Sequence, residues 1–221
     1  MPNAASPHHV EILAFAGAQI LDVTGPAQVF ATANDLASPG TPRPYEITVV
    51  SLDDAVVTSS GLTLMAMPAA SRAGAFGTLI VSGGYGVDAA RRDTALIDWV
   101  RRRSSLAERT ASVCSGALLL AEAGLLDGRR AVTHWQRCAE FAARYPLVHL
   151  DPDPIFVRDG TVWTSAGVTA GIKQAIEEAE KNYKGLVIWH ADAAEGGAFS
   201  AGADLQSMLP LFMSGGVKAI E

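Results

Sequence analysis

The chain has few cysteines, few basic residues and no long apolar run, and each shortage excludes a class of protein. Only two cysteines, Cys114 and Cys138, occur in 221 residues, and they lack the C-x-x-C spacing of a zinc site or redox pair. No apolar run approaches the ~20 residues that a membrane-spanning helix needs. The N-terminus also lacks the basic and apolar regions of a secretory signal. The sequence therefore predicts a cytoplasmic protein with no disulfide framework, no metal site and no membrane partner.

Basic charge is also scarce, with 17 Lys+Arg against 23 Asp+Glu and a net charge of -6. A DNA-binding region normally shows a basic stripe or a helix-turn-helix pattern. The densest basic cluster comprises Arg91, Arg92 and residues 101–103, and it is typical of the solvated face of an amphipathic helix. We therefore expect no specific DNA binding by this chain.

Apolar residues make up 49% of the sequence, which is enough for the core of one α/β domain. Short apolar runs bounded by turn residues alternate with helical patterns, beginning with a buried strand at 10–16 and a helix that opens at Pro26. Hairpins are predicted at 56–67 and 156–164, and a helix at 93–107. This alternation predicts an α/β fold with a mostly parallel sheet.

The stretch from Thr110 to Gly124 reads as a strand, a sharp turn and a helix, with Cys114 at the turn. Ser115 and Gly116 are small enough for a tight turn. A thiol at the start of a helix is expected to ionise more readily than its ordinary pKa of about 8.5 implies. The alternative is a buried core cysteine, because free cysteine is among the most buried residue types.

Two further loops contain candidate site residues. Asp22 follows the first predicted strand and is either a functional carboxylate or a helix-capping residue. Gly83 and Gly84 follow the strand at 77–81, in a loop that matches neither a dinucleotide fingerprint nor a phosphate loop. Their amides are candidate oxyanion donors, although glycines required only by a turn would give the same pattern.

His134 ends a short run at 131–135 that reads as a strand, 20 residues after the cysteine. Neighbouring strand ends would bring the imidazole beside the thiol of Cys114, where it would stabilise a thiolate or move a proton. A hydrogen-bonded structural histidine is the alternative.

Taken in order, six motifs resemble the DJ-1/PfpI superfamily, which has the class I glutamine amidotransferase-like fold, over about residues 10–172. They are Leu21-Asp22-Val-Thr-Gly-Pro26, Ser82-Gly-Gly84, Ser112-Val-Cys114-Ser-Gly116, Gly124-Leu-Leu-Asp-Gly-Arg-Arg130, Thr133-His134-Trp135 and Trp163-Thr-Ser-Ala-Gly-Val-Thr-Ala-Gly171. The resemblance implies a flavodoxin-like, doubly wound sheet with helices on both faces. It also implies a homodimer, a small-molecule ligand or substrate and no cofactor.

Two branches of the superfamily fit, and they imply different functions. The run at 156–167 is typical of the sensing domain of AraC-type transcriptional regulators, here without the DNA-binding half. The alternative is an isonitrile hydratase, in which Cys114 would attack the isonitrile carbon and Asp22 would exchange protons. In that branch Ser115 replaces the usual threonine, and its amide and that of Gly84 would stabilise negative charge. A third reading is a DJ-1 relative with a redox-sensitive cysteine.

The resemblance changes near the C-terminus. Residues 1–9 are predicted to be disordered, 10–172 to form the DJ-1/PfpI-like domain, and 173–221 to complete or decorate it. Within the last ~45 residues, Lys184–Trp189 and Gly196–Leu205 resemble part of a crotonase, the enoyl-CoA hydratase family. The segment lacks the downstream carboxylates of a crotonase, so we expect no hydratase activity from it.

Overall fold

The computed structural model describes residues 6–37 and 40–167. The described strands are β1 (His8–Leu13), β2 (Tyr45–Ser51), β3 (Ala55–Val57), β4 (Thr63–Met65), β5 (Met67–Pro68), β6 (Phe76–Val81), β7 (Ala107–Val113), β8 (Arg130–Ala131), β9 (His149–Leu150), β10 (Phe156–Asp159) and β11 (Val162–Ser165). The described helices are α1 (Ile20–Asp35), α2 (Val87–Ala90), α3 (Thr94–Ser104), α4 (Ala117–Glu122) and α5 (Cys138–Arg144). None of these helices is long and apolar enough to cross a membrane.

Seven of the described strands form one sheet, in the order β10-β11-β7-β6-β1-β2-β5. Every pairing in this sheet is parallel except that of β10 with β11. Numbered along the chain, the five strands β1, β2, β6, β7 and β11 lie side by side in the order 2-1-3-4-5. That order defines a flavodoxin-like sheet and confirms the predicted fold class.

Side chains of β1 alternate between two apolar layers, as the period of a strand requires. Val10 and Ile12 pack with Phe30 of α1 on one face. Leu13 packs on the other face, in a cluster that includes Leu118 of α4 and residues of α3. Because helices cover both faces, β6 is buried along its whole length.

A buried carboxylate interrupts this apolar core. Glu11 of β1 has no exposed surface, and it accepts hydrogen bonds of 2.7 Å from Nε and Nη2 of Arg103 and from Nε of Arg72. Burial raises the Glu11 pKa, but the hydrogen bonds from both arginines outweigh it and hold the pKa below its ordinary value. Arg103 is itself buried, so the prediction that its basic cluster is a solvated helix face is wrong at this position.

Most predicted elements are present, with shifted boundaries. Both hairpins are confirmed, as β3–β4 and β10–β11. Residues 8 and 9, in the segment predicted to be disordered, belong to β1, where the His8 amide donates to the Pro44 carbonyl (2.8 Å). Helix α1 begins at Ile20 and not at Pro26, which lies inside it. The segment at 173–221, with its crotonase-like stretch, lies outside the described residues.

Candidate functional site

Three loops meet at the carboxyl edge of the sheet, following β1, β6 and β7. The strand order reverses between β1 and β6, and ligands of such sheets bind at this switch point. Backbone hydrogen bonds join the first two loops, from the Gln19 amide to the Gly83 carbonyl (2.8 Å) and from the Gly86 amide to the Gly17 carbonyl (3.1 Å). The backbone on this side of the site is therefore held in place by the fold itself.

Cys114 stands on the sharp turn after β7, as predicted. Its φ of 56° makes it the one residue other than glycine with a positive φ in the described part of the chain. This conformation costs an L-residue on the order of 1–3 kcal/mol, and it is typical of functional sites. Gly116 allows the turn, because a Cβ there would lie against the carbonyl oxygens of Val81 and Ser82. The Thr133 hydroxyl donates to the Cys114 carbonyl (3.2 Å) and fixes the turn from the far side.

The expectation that this thiol ionises readily is wrong. Burial, reinforced by the negative charge of Asp22, raises the pKa of the Cys114 thiol to about 12. Ser115 and the positive charge of Arg137 lower the pKa of the thiol, but they do not offset burial. The helix that follows, α4, has only six residues. At neutral pH the site therefore contains a protonated thiol.

Asp22 lies in the first turn of α1 and has no exposed surface. Burial raises the pKa of its carboxyl to about 7, although the hydrogen bond from the Gly83 amide lowers it. That amide donates to Oδ2 (2.9 Å), whereas Oδ1 is buried and has no hydrogen-bond partner among the described residues. A carboxyl group in this state changes protonation near neutral pH, which suits it to proton exchange.

The glycine loop does not leave the two expected oxyanion donors free. The Gly83 amide holds Asp22, and the Gly84 amide donates to the Ser115 hydroxyl (3.0 Å). Gly83 must lack a side chain, because a Cβ would lie 2.6 Å from the Ser115 nitrogen and 2.9 Å from Asp22 Oδ2. The two glycines thus connect the predicted site residues to one another.

His134 does not lie at the end of a strand of the main sheet. Strand β8 stops at Ala131 and, within the described residues, pairs with β9 in a separate two-stranded sheet. Nδ1 of His134 accepts from the Gln136 amide (3.3 Å), and the ring packs on Trp135 at 5.7 Å. Burial and the charge of Arg137 lower its pKa. In the described part of the chain, no hydrogen bond joins the His134 ring to the Cys114 thiol. The described contacts of the imidazole are therefore with neighbouring residues of its own turn, as the alternative of a structural histidine implies.

The charge of Arg137 acts on the site, and no motif in the sequence indicated this. Its Nη1 and Nη2 bind the two carboxylate oxygens of Asp88 at 3.0 and 2.7 Å. The positive charge acts on Cys114 and lowers the pKa of the thiol. The partner Asp88 is 49 residues away in the chain, so spacing along the sequence gave no signal for this pair.

Three large side chains beside the site are strongly exposed. Leu21 precedes Asp22, Tyr85 follows the glycine pair, and Trp135 follows the histidine, with 51%, 89% and 72% of their surfaces exposed. Each is next to a predicted site residue in the chain, so we treat the three as candidate ligand contacts and refer to them as the rim residues.

The sequence profile of the DJ-1/PfpI family matches residues 8–181. The chain is 35% identical to an isonitrile hydratase of Pseudomonas putida over 176 residues, which cover 78% of this chain and 71% of that protein. It is 27% identical to the HTH-type transcriptional regulator GbdR of Pseudomonas aeruginosa over 171 residues, covering 76% of this chain and 45% of the regulator.

A similar fold is found in the crystal structure of an AraC family transcriptional regulator from Pseudomonas putida. The two match with a TM-score of 0.64 and 23% identity over 80% of this chain and 93% of that one. The chain spans less than half of the length of GbdR. The family match ends nine residues beyond the predicted boundary at 172, and the crotonase resemblance finds no support in these comparisons. By its sequence match and its fold, the chain belongs to the DJ-1/PfpI family.

Proposed function

We propose that the Cys114 site binds a small molecule and that the domain is of the sensing type found in AraC-type transcriptional regulators. The observation that carries this proposal is that the backbone amides of the glycine loop already donate hydrogen bonds to side chains of the site. Gly83 and Gly84 donate to Asp22 and Ser115, so neither amide is free to stabilise a developing oxyanion. Such a site is built to hold its own side chains in place, which favours binding over turnover.

The state of the thiol supports the same proposal. A cysteine with a pKa of about 12 is almost entirely protonated at neutral pH and is therefore a weak nucleophile. The rim residues Leu21, Tyr85 and Trp135 are exposed and would supply apolar contact area for a ligand. The similarity to GbdR over 171 residues agrees with a regulatory ancestry.

Isonitrile hydration is the second candidate, favoured by the buried Asp22. The S–H group of Cys114 would add across the isonitrile carbon, with the sulfur bonding to carbon and a proton passing to that carbon through Asp22. The resulting thioimidate would add water and expel the thiol, releasing an N-substituted formamide and restoring Cys114. The free Oδ1 atom and the carboxyl pKa of about 7 suit Asp22 to both proton transfers.

One experiment separates the two functions. An aryl isonitrile is mixed with the protein, and the loss of isonitrile and gain of formamide are followed by infrared spectroscopy and NMR. Parallel samples contain Cys114→Ala and, as a matched control, Cys138→Ala. Formamide produced by the wild-type protein and Cys138→Ala but not by Cys114→Ala would refute the sensor and support the hydratase.

A thermal-shift screen of small metabolites completes the test. Under the sensor proposal, the isonitrile survives and some metabolite stabilises the wild-type protein. The stabilisation is reduced by Tyr85→Ala and Trp135→Ala, which change only exposed rim side chains. Homodimerisation, a cytoplasmic location and lack of specific DNA binding stay predictions, the first tested by light scattering and the last by gel shift.

A further inference from the structure

Four charged side chains form a closed ring of ion pairs beside the site. Arg137 contacts Asp88 and Glu140 at 2.7 and 2.9 Å. Arg91 contacts the same two carboxylates at 2.9 and 3.1 Å. Each carboxylate is thus shared by two guanidinium groups. The guanidinium groups are mostly buried, with side-chain exposures of 24% for Arg137 and 11% for Arg91.

The ring joins the two chain segments that flank the cysteine. Asp88 lies in α2, directly after the loop whose Gly84 amide binds the Ser115 hydroxyl. Arg137 lies in the turn that follows Thr133, whose hydroxyl binds the Cys114 carbonyl. Both segments thus contact the Cys114 turn, and the Arg137–Asp88 ion pair connects them to each other.

We propose that Arg137 is a positioning residue whose guanidinium, held by Asp88 and Glu140 beside the Cys114 turn, sets the reactivity of the thiol and favours reagents that carry negative charge. The proposal deepens the proposed function and rests on one part of it, that the Cys114 turn forms the ligand site. It does not depend on whether the ligand is bound or converted.

The charges around the thiol give the direction of each effect. Asp22 opposes formation of the thiolate, and Arg137 favours it. Asp88 and Glu140 in turn neutralise much of the positive charge of Arg137. Removing the arginine charge should make the thiol less reactive, and removing the Asp88 charge should make it more reactive. A purely structural role for the ring would instead change reactivity in the same direction for both variants.

Alkylation of Cys114 measures these effects without any ligand. The background is Cys138→Ala, so that only one thiol reacts, and rates with neutral iodoacetamide and anionic iodoacetate are measured from pH 7 to 10. We expect Arg137→Met to slow iodoacetate by at least about threefold more than iodoacetamide, because the reagents differ in charge. Asp88→Asn should raise the ratio of the iodoacetate rate to the iodoacetamide rate. Arg137→Lys keeps the positive charge and should have a rate ratio close to that of the parent.

A matched ion pair elsewhere provides the control. Arg101 and Asp98 form a 2.7 Å surface pair on α3, and Arg101→Met and Asp98→Asn should leave the ratio unchanged. Equal ratios in Arg137→Met, Asp88→Asn and the parent would overturn the proposal, as would a Cys114 that neither reagent alkylates by pH 10. These outcomes are independent of isonitrile turnover and metabolite binding, so failure of the proposed function would be recognised separately.

Discussion

Replacing Cys114 with glycine and with alanine should reveal the strain in the turn. Both variants remove the same sulfur atom, so the loss of its packing cancels when they are compared. They differ in their tolerance of the φ of 56° at this position. Alanine carries a Cβ that disfavours the left-handed region, whereas glycine enters it freely.

The expected difference follows from the cost of this conformation. The left-handed region costs an L-residue roughly 1–2 kcal/mol, and glycine loses part of that advantage through its greater freedom in the unfolded chain. Cys114→Gly should therefore be more stable than Cys114→Ala by about 1 kcal/mol. For a domain of this size, that free energy corresponds to a melting temperature higher by about 2–4 °C.

Urea denaturation of both variants, followed by circular dichroism, measures the difference. Cys138 is the matched control, because it opens α5 with a φ of −59° and a ψ of −44°. There alanine should be more stable than glycine by up to about 1 kcal/mol, since the full difference applies to a helix interior. The reasoning is refuted if alanine is the more stable residue at both positions, since the turn would then hold no strain of this kind.

Three further predictions concern the groups around the turn and beneath the site. Asp22→Asn should be more stable than the wild-type protein above pH 7. The raised carboxyl pKa of about 7 gives stability at low pH that is lost, by up to ~4 kcal/mol, as the pH rises from about 4 to 7. Gly83→Ala should abolish ligand binding, because the new Cβ lies 2.6 Å from the Ser115 nitrogen. Glu11→Gln should cost about 3–5 kcal/mol, because Arg103 keeps a buried charge without its partner.

Each of these predictions has a control and a contradicting result. Denaturation at several pH values should show the Asp22→Asn curve flatter than that of the wild-type protein, and parallel curves would contradict the assigned pKa. Gly167→Ala adds a Cβ that has no atom of the described residues within 4 Å, so its ligand-induced thermal shift should persist. Glu46→Gln removes the carboxylate of a half-exposed pair with His9 and should cost under about 1 kcal/mol. Equal losses for Glu46→Gln and Glu11→Gln would contradict the argument from burial.

The fold class and the sharp turn at Cys114 were accessible from the sequence. Alternating apolar runs predict the parallel sheet, and small residues around Cys114 predict its sharp turn. The ordered motifs around Asp22 and the glycine pair predict which loops meet. These features depend on neighbours in the chain or on the general rule that parallel strands end at one edge.

The properties that depend on distant partners were not accessible. The direction of the Cys114 pKa shift is decided by burial, which a sequence pattern does not quantify. Glu11 lies in a buried strand, and its partner Arg103 follows 92 residues later, within a cluster that reads as solvated. The run ending at His134 has the composition of a strand, but only Arg130 and Ala131 find a pairing partner, in β9.

The backbone hydrogen bonds between the loops after β1 and β6 also restrict which sequence changes could give the site a new ligand preference. The Gln19 amide donates to the Gly83 carbonyl and the Gly86 amide to the Gly17 carbonyl, so a change in the length of either loop would break the contacts that hold Asp22. Substitutions at Leu21, Tyr85 and Trp135 leave those contacts intact, because their side chains project to the surface. New ligand preferences should therefore be sought in a mutant library confined to these three positions, with the length of each loop kept constant.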